Sequence, residues 1–349
     1  MDSDQITSAE PQSLPPITVT VPTPAKKGKG WRIFWGIFTG LSVLVNIILL
    51  LVIIGMGVML AGEFGSLTAG GGGGGFSEEL LLAGSRTQKI AVINIGGIIE
   101  NEMADAVTRQ VRLAGEDRKV KAVIVKIDSP GGTVAASDRI NYELGKLRKD
   151  YHKPTVAFIQ GMAASGGYYS AVACDRIVAE PAAITGSIGV IMETFTFQQL
   201  LEEKLGIQPV VLKSGEKKDW PNMFKPVTEE QKAYLQDKLI RPAYERFVKV
   251  VAAGRPMLSE EQVRTLADGS IYNADEAADA MLVDDTGYFE KAVEIAQMLG
   301  NAKGAEVVEY RRVFSWASWL DARSGITLPS ISRKNLTEFS QPQLLYLWK

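Results

Sequence analysis

Thr155-Val156-Ala157-Phe158-Ile159-Gln160-Gly161-Met162-Ala163-Ala164-Ser165-Gly166-Gly167-Tyr168-Tyr169 changes character halfway along. Residues 155–159 form an apolar run of strand length, read as a buried strand. From Gly161 the side chains shrink, and 165–173 is small and apolar enough for a buried helix. The segment therefore reads as strand, small-residue turn, helix. The flanking chain repeats this alternation. Residues 89–95, 120–127 and 176–179 read as further buried strands. Val134, Ser137, Ile140, Leu144 and Leu147 recur at helical spacing on one face. Thr228 and Gln231 have the spacing of a capping box at the start of a longer helical pattern. Pro242 should kink or split that helix, and Gly254 suits its C-terminal end. Alternating strands and helices argue for an α/β domain with a largely parallel sheet. No internal repeat is visible.

Composition narrows the chemistry. The 349 residues carry a net charge of −2, so no global basic field argues for nucleic acid. Cys174 is the only cysteine, which excludes an intrachain disulfide and a cysteine metal cluster. His152 is the only histidine, which excludes a His-rich zinc site. A Ser-His-Asp triad would have to use His152, which lies in a polar connection and reads as a solvated loop residue. Cys174, nine residues beyond Ser165, reads as a core residue.

The N-terminus is not globular. Residues 1–30 read as a disordered tail, rich in Pro, Ser and Thr and ending in a basic stretch with Lys26, Lys27 and Lys29. Residues 31–62 are predicted as a transmembrane helix, much longer than the apolar core of a cleaved signal peptide. Positive charge lies on its N-terminal side and Glu63 follows it. The expected topology is a single pass through the cell (inner) membrane, N-terminus cytoplasmic, the remainder periplasmic or extracellular. Residues 63–88, with unbroken glycine from Gly70 to Gly75, read as a flexible tether. The folded domain is expected over 89–300. A C-terminal extension over 301–349 ends in the apolar run Leu344-Leu345-Tyr346-Leu347-Trp348, which suggests docking.

Three segments can carry chemistry. In Asp128-Ser129-Pro130-Gly131-Gly132, between a strand and a helix, glycines permit close approach of a backbone amide to a ligand; the alternative is a plain tight turn. Ser165 lies between Ala163-Ala164 and Gly166-Gly167, which leaves its hydroxyl accessible. A helix cap is the commoner fate of such a serine, yet a cap needs no small residues on both sides. Ser187, in Thr185-Gly186-Ser187-Ile188-Gly189, fits a buried bend or a group that orients a neighbouring amine. A nucleophilic serine needs a base. With histidine set aside, lysine remains, and Lys213, Lys217 and Lys218 fall in one loop-like stretch beside Trp220. A lysine base needs a lowered pKa, which burial against apolar walls supplies.

These segments, in this order, resemble the signal peptide peptidase A (protease IV) family in its short single-domain form. The matching strings are 128–132, 162–169, 185–190 with Met192-Glu193, Ser214-Gly215 through Lys218-Asp219, and Leu282-Val283-Asp284 with Gly287. The resemblance covers roughly residues 89–299 together with the anchor. It implies a ClpP/crotonase-like α/β fold and a Ser–Lys dyad serine endopeptidase that degrades cleaved signal peptides and other hydrophobic peptides. Carried across, Ser165 is the nucleophile, Lys218 the general base and Ser187 the residue that orients it. The backbone amides of Gly132 and Gly166 form the oxyanion hole. No metal or other cofactor is implied. A homo-oligomeric ring is implied, in which the tail packs on a neighbour or enters the substrate groove. Two other readings are a crotonase-like acyl-CoA enzyme, disfavoured by a tether outside the cytoplasm, and a non-catalytic membrane-tethered scaffold.

Overall fold

The computed structural model describes residues 29–68, 75–313 and 343–348. The chain divides into two units, 1–72 and 73–349. The first unit is built on one helix, α1 (Lys29–Thr68). Within it, residues 33–54 have a mean hydropathy of 2.9 and lie wholly exposed, so the helix is long and apolar enough to cross a membrane. Trp35 meets Trp31 and Phe38 edge to face on its surface. Lys26, Lys27 and most of the glycine run lie outside the described residues.

The second unit begins with strands β1 (Phe76–Leu82) and β2 (Ser85–Gly96), then helix α2 (Asn101–Glu116). Next come β3 (Val120–Ser129), the short β4 (Gly131–Thr133) and α3 (Val134–Lys149). The strand–turn–helix stretch is β5 (Thr155–Ala164) followed by α4 (Gly166–Ala171). Strands β6 (Arg176–Ala179), β7 (Ile184–Gly186) and β8 (Ile191–Glu193) lead into an arm over residues 194–227. Helices α5 (Glu229–Leu235), α6 (Arg241–Gly254) and α7 (Glu260–Leu266) follow. The rest is β9 (Ile271–Asn273), α8 (Ala274–Asp279), β10 (Asp285–Thr286), α9 (Phe289–Leu299), β11 (Ala305–Arg312) and β12 (Gln343–Leu347).

The main sheet runs β1-β11-β2-β3-β5-β6-β10, parallel from β11 to β10 with β1 as an antiparallel edge. The expected α/β class with a largely parallel sheet is therefore present. Its strands read as continuous apolar runs because both faces are covered. Ala91, Ile93, Val123, Val125, Ala157 and Ile159 face one core with α2, α3 and α4. The alternate residues Ile90, Val92, Ile124, Val156 and Phe158 face a second core under α9. Thr228 and Gln231 form the expected capping box, and the helix splits before Pro242 through a π-helical turn over residues 236–240. Cys174 is buried, and burial pushes its thiol up to about 12.

The sheet passes both expected limits of the domain. β1 falls inside the stretch read as a tether, and β11, beyond residue 300, lies between β1 and β2 rather than in an extension. Local composition hid both, because charged residues interrupt the apolar ones in these outer strands: Glu78 and Glu79 in β1, and Glu306, Glu309, Arg311 and Arg312 in β11. Glu309 of β11 is nevertheless buried, held by Lys126 at 2.8 Å and Arg311 at 2.9 Å.

Candidate active site

The chemistry-bearing segments meet at the carboxyl ends of the parallel strands, where loops are free of the ladder and ligands bind in open α/β sheets. β3 ends in Ser129-Pro130-Gly131. The Ser129 hydroxyl donates to the Gly97 carbonyl at 2.6 Å and accepts from the Gly131 amide at 3.1 Å, fixing the turn. Gly131 has φ +100, a conformation that favours glycine. On β4, the Ile99 amide donates to Gly131 and the Thr133 amide donates to Ile99. Those two residues thus spend their groups on one edge. By the alternation of a strand, the Gly132 amide faces the other edge.

Ser165 leaves β5 with φ 54 and ψ −112, a strained conformation for a residue with a side chain. It stands at the cap position of α4, yet its side chain makes no capping hydrogen bond, which removes the commoner reading. Its amide donates to the Gly186 carbonyl at 2.8 Å, and only 1% of the residue is exposed. The next residue, Gly166, lies close to the β3–β4 turn: a Cβ on Gly131 would come within 2.7 Å of the Gly166 nitrogen. The structure therefore brings Gly132, Ser165 and Gly166 together.

It brings Ser187 to them as well. Ala164 pairs with Gly186 in the parallel β5–β7 ladder, and Thr185 Oγ1 donates to the Ala163 carbonyl at 2.7 Å. Ser187 leaves β7 one step later with φ 50, largely buried, its amide on the Ser270 carbonyl at 2.7 Å.

Lys218 is placed differently. It sits on a 3-10 turn, Glu216–Asp219, within the arm, and it is exposed. No hydrogen bond joins it to Ser165 or Ser187. The burial that a lysine base needs is not supplied around it. The aromatic wall near this loop serves its neighbour instead: the Lys217 ammonium lies 5.3 Å from the Trp220 ring and 4.6 Å from the Tyr234 ring. Lys213 is held by Asp219 at 2.6 Å. Of the three loop lysines, only Lys218 lacks a partner among the described residues. His152 is exposed at the opposite end of β5 from Ser165. A strand of this length separates them by on the order of 30 Å, too far for a base in the same chain.

A network behind α4 joins residues whose partnership no local stretch of sequence announces. The Tyr169 hydroxyl donates to Asp138 at 2.6 Å, and Arg246 grips the same carboxylate through Nε and Nη2 at 2.7 and 2.9 Å. Burial, and next the Asp138 carboxylate, push the Tyr169 phenol well above its ordinary range. This ties α4 to α3 and α6. Also unanticipated is a buried Ser137 hydroxyl with no partner, facing Gly166. No group of His, Cys, Asp and Glu suited to a metal occurs among the described residues.

A parallel α/β sheet whose strand ends present a strained serine beside a glycine cradle defines a hydrolase-like site. Residues 147–303 match peptidase family S49, and residues 89–196 match the NfeD1b N-terminal domain. A protein of Methanocaldococcus jannaschii named as a protease is 40% identical over 195 residues, 56% of this chain and 61% of that one. A protein of Enterococcus faecium named as signal peptide peptidase SppA is 35% identical over 257 residues, 70% of this chain and 74% of that one. Among solved structures, a ClpP1 mutant of Listeria monocytogenes matches at 19% identity and a TM-score of 0.39, over 58% of this chain and 94% of that one. The chain belongs to peptidase family S49, the signal peptide peptidase A family, and is a serine peptidase.

Proposed function

We propose that this chain is a membrane-anchored serine endopeptidase that cuts hydrophobic peptides, cleaved signal peptides among them, with Ser165 as nucleophile and Lys218 as general base. The observation that carries the reading is Ser165 itself: buried, strained, uncapped, and set against the amide of Gly166 and the turn at Gly132. Neutral Lys218 takes the Ser165 proton as the oxygen attacks a peptide carbonyl. The amides of Gly132 and Gly166 receive the developing oxyanion, and Ser187 orients the lysine. The resulting Lys218 ammonium protonates the departing amine, and water, deprotonated by the regenerated neutral lysine, hydrolyses the Ser165 ester to free the acyl product.

Lys218 must be covered before it works as a base. The arm that bears it exposes Phe195, Phe197, Leu200, Leu205, Ile207 and Leu212. Apolar surface of that extent favours coverage by another copy of the chain, in keeping with a homo-oligomeric ring. The helix α1 serves as a single-pass anchor, N-terminus cytoplasmic, with the peptidase domain periplasmic or extracellular. That side of the membrane suits substrates that begin as membrane helices.

Digestion of a synthetic signal peptide by the full chain in detergent tests the proposal. Wild type should fragment the peptide and take up a fluorophosphonate at Ser165, and Ser165→Ala should do neither. Cleavage that survives in Ser165→Ala would sink the assignment. Sedimentation of the same material should give a multimer; a monomer at micromolar concentration would contradict the ring.

A further inference from the structure

Among the described residues, Ser137 carries the one buried hydroxyl without a hydrogen-bond partner. None of its surface is exposed. Buried polar groups are paired with few exceptions, and an unmade bond costs more than a made one returns. A serine within a helix can return its proton to the carbonyl one turn back, and Ser137 does not. The orphan therefore calls for a reason.

Its place in the fold supplies one. Ser137 lies one turn into α3, where Thr133 caps the helix by accepting from the Ala136 amide at 3.3 Å. Its neighbours tie α3 to α4: Asn141 Nδ2 donates to the Tyr169 carbonyl at 2.8 Å, and Asp138 accepts from the Tyr169 hydroxyl at 2.6 Å. The Ser137 hydroxyl is thereby turned to Gly166, and a Cβ on that glycine would strike the Ser137 Oγ first. The Gly131 Cα stands 3.2 Å from the same point. The Tyr346 carbonyl oxygen stands 3.0 Å from it, yet does not accept from the hydroxyl. The first turn of α3, Val134 to Ser137, holds no acidic residue, and the partial positive charge of a helix start favours an anion there. The nearest acid along the helix, Asp138, is already neutralised by Arg246.

We infer that the Ser137 hydroxyl is a third donor to the oxyanion, beside the amides of Gly132 and Gly166. The inference rests on the peptidase reading above. As the Ser165 oxygen bonds to the peptide carbon, its proton passes to Lys218 and the carbonyl π pair moves onto the carbonyl oxygen. Ser137 donates a hydrogen bond to that oxygen and keeps its own proton throughout. A neutral carbonyl beside Gly166 leaves the hydroxyl unbonded, as that of Tyr346 does. A bond made only once charge develops lowers the barrier without tightening substrate binding. The resting protein gives up some stability for a donor already in place.

The test uses the full chain in detergent, with Ser137→Ala and with Ser137→Cys, which keeps a weak donor. The readouts are kcat and KM on a synthetic signal peptide, the melting temperature, and inhibition by a peptide aldehyde, whose adduct with Ser165 carries a tetrahedral oxygen. Ser137→Ala should lower kcat roughly ten- to hundredfold with KM unchanged, and weaken the aldehyde by the same factor. It should also melt a few degrees higher, because the orphan is gone. Ser137→Cys should fall between the two in rate, and decides the matter if the alanine variant fails to fold. An unchanged kcat, at any melting temperature, overturns the inference while the peptidase stands. So does a lower kcat that comes with a lower melting temperature and an unchanged aldehyde affinity, the mark of a serine that only holds the structure. If the wild type neither cleaves the peptide nor takes up a fluorophosphonate, both readings fall.

Discussion

Ser165 and Ser187 leave neighbouring parallel strands at the same register step, each with a positive φ, 54° and 50°. The Gly186 carbonyl, accepting from the Ser165 amide at 2.8 Å, locks the two turns together. Neighbouring strands lie about 4.8 Å apart, so the two serines emerge side by side. A strained backbone persists only where the surrounding structure over-determines it. Here the ladder below and the glycines on either side do so.

Ser165→Ala is expected to abolish peptide cleavage with an unchanged melting temperature, since alanine fits the same space and no hydrogen bond of the hydroxyl is lost. Ser187→Ala should slow the reaction less, because it orients the base without moving the proton. Lys218→Ala should be inactive. Lys217→Ala should keep most activity and lose about 0.5–1 kcal/mol of stability, the worth of an exposed cation–π contact. Steady-state rates and thermal melts check all four; an active Lys218→Ala beside a dead Lys217→Ala would move the base by one position.

Acid should unfold the domain partly through Asp284. Burial alone would raise its pKa, but the Arg255 guanidinium, donating at 2.8 and 3.1 Å, outweighs burial and holds it below the ordinary carboxylate value. A depressed folded pKa adds stability that is complete above the unfolded value, about 3.9, and is lost as pH falls through the folded one. Arg255→Ala leaves the half-buried Asp284 carboxylate with only the Ile177 amide at 2.7 Å and the exposed Arg176 at 3.3 Å, and should cost about 1–3 kcal/mol at neutral pH. Denaturant melts between pH 7 and pH 2 should show the wild-type advantage over this variant shrinking at the acid end.

Two glycines should respond in opposite ways to alanine. A Cβ on Gly132 would strike the Ile99 backbone, which cannot yield without opening the bridge to β4. Gly132→Ala should lose both stability and activity. Gly145, in α3, has nothing within 4 Å of the new carbon. Gly145→Ala should gain about 0.5–1 kcal/mol from helix propensity, with activity retained. Paired melts and cleavage rates measure the contrast.

Topology can be read directly. A periplasmic-type reporter fused at Lys349 should be active only outside the cytoplasm, and cytoplasmic activity would reverse the proposed orientation.

Much of this protein was legible in the residues alone. Apolar runs at 89–95, 120–127 and 155–159 specify buried parallel strands because each is covered on both faces, and that burial leaves a continuous signal. The small residues around Ser165 and the two glycines after Pro130 announce close backbone approach, a demand that a local stretch expresses by itself. Tertiary structure alone decided the rest. Nothing near residue 309 reveals that Glu309 is buried in a sheet strand, because its partner Lys126, on β3, becomes its neighbour only after β11 docks on β2. Motif order singles out Lys218, but which lysine meets Trp220 and Tyr234 depends on a turn and a helix folding together. The apolar end of the chain advertised only that it would be covered. That Tyr346 fills a slot beside Gly132 and Gly166, far from both in sequence, is a long-range pairing, and composition carries no record of which edge a strand will choose.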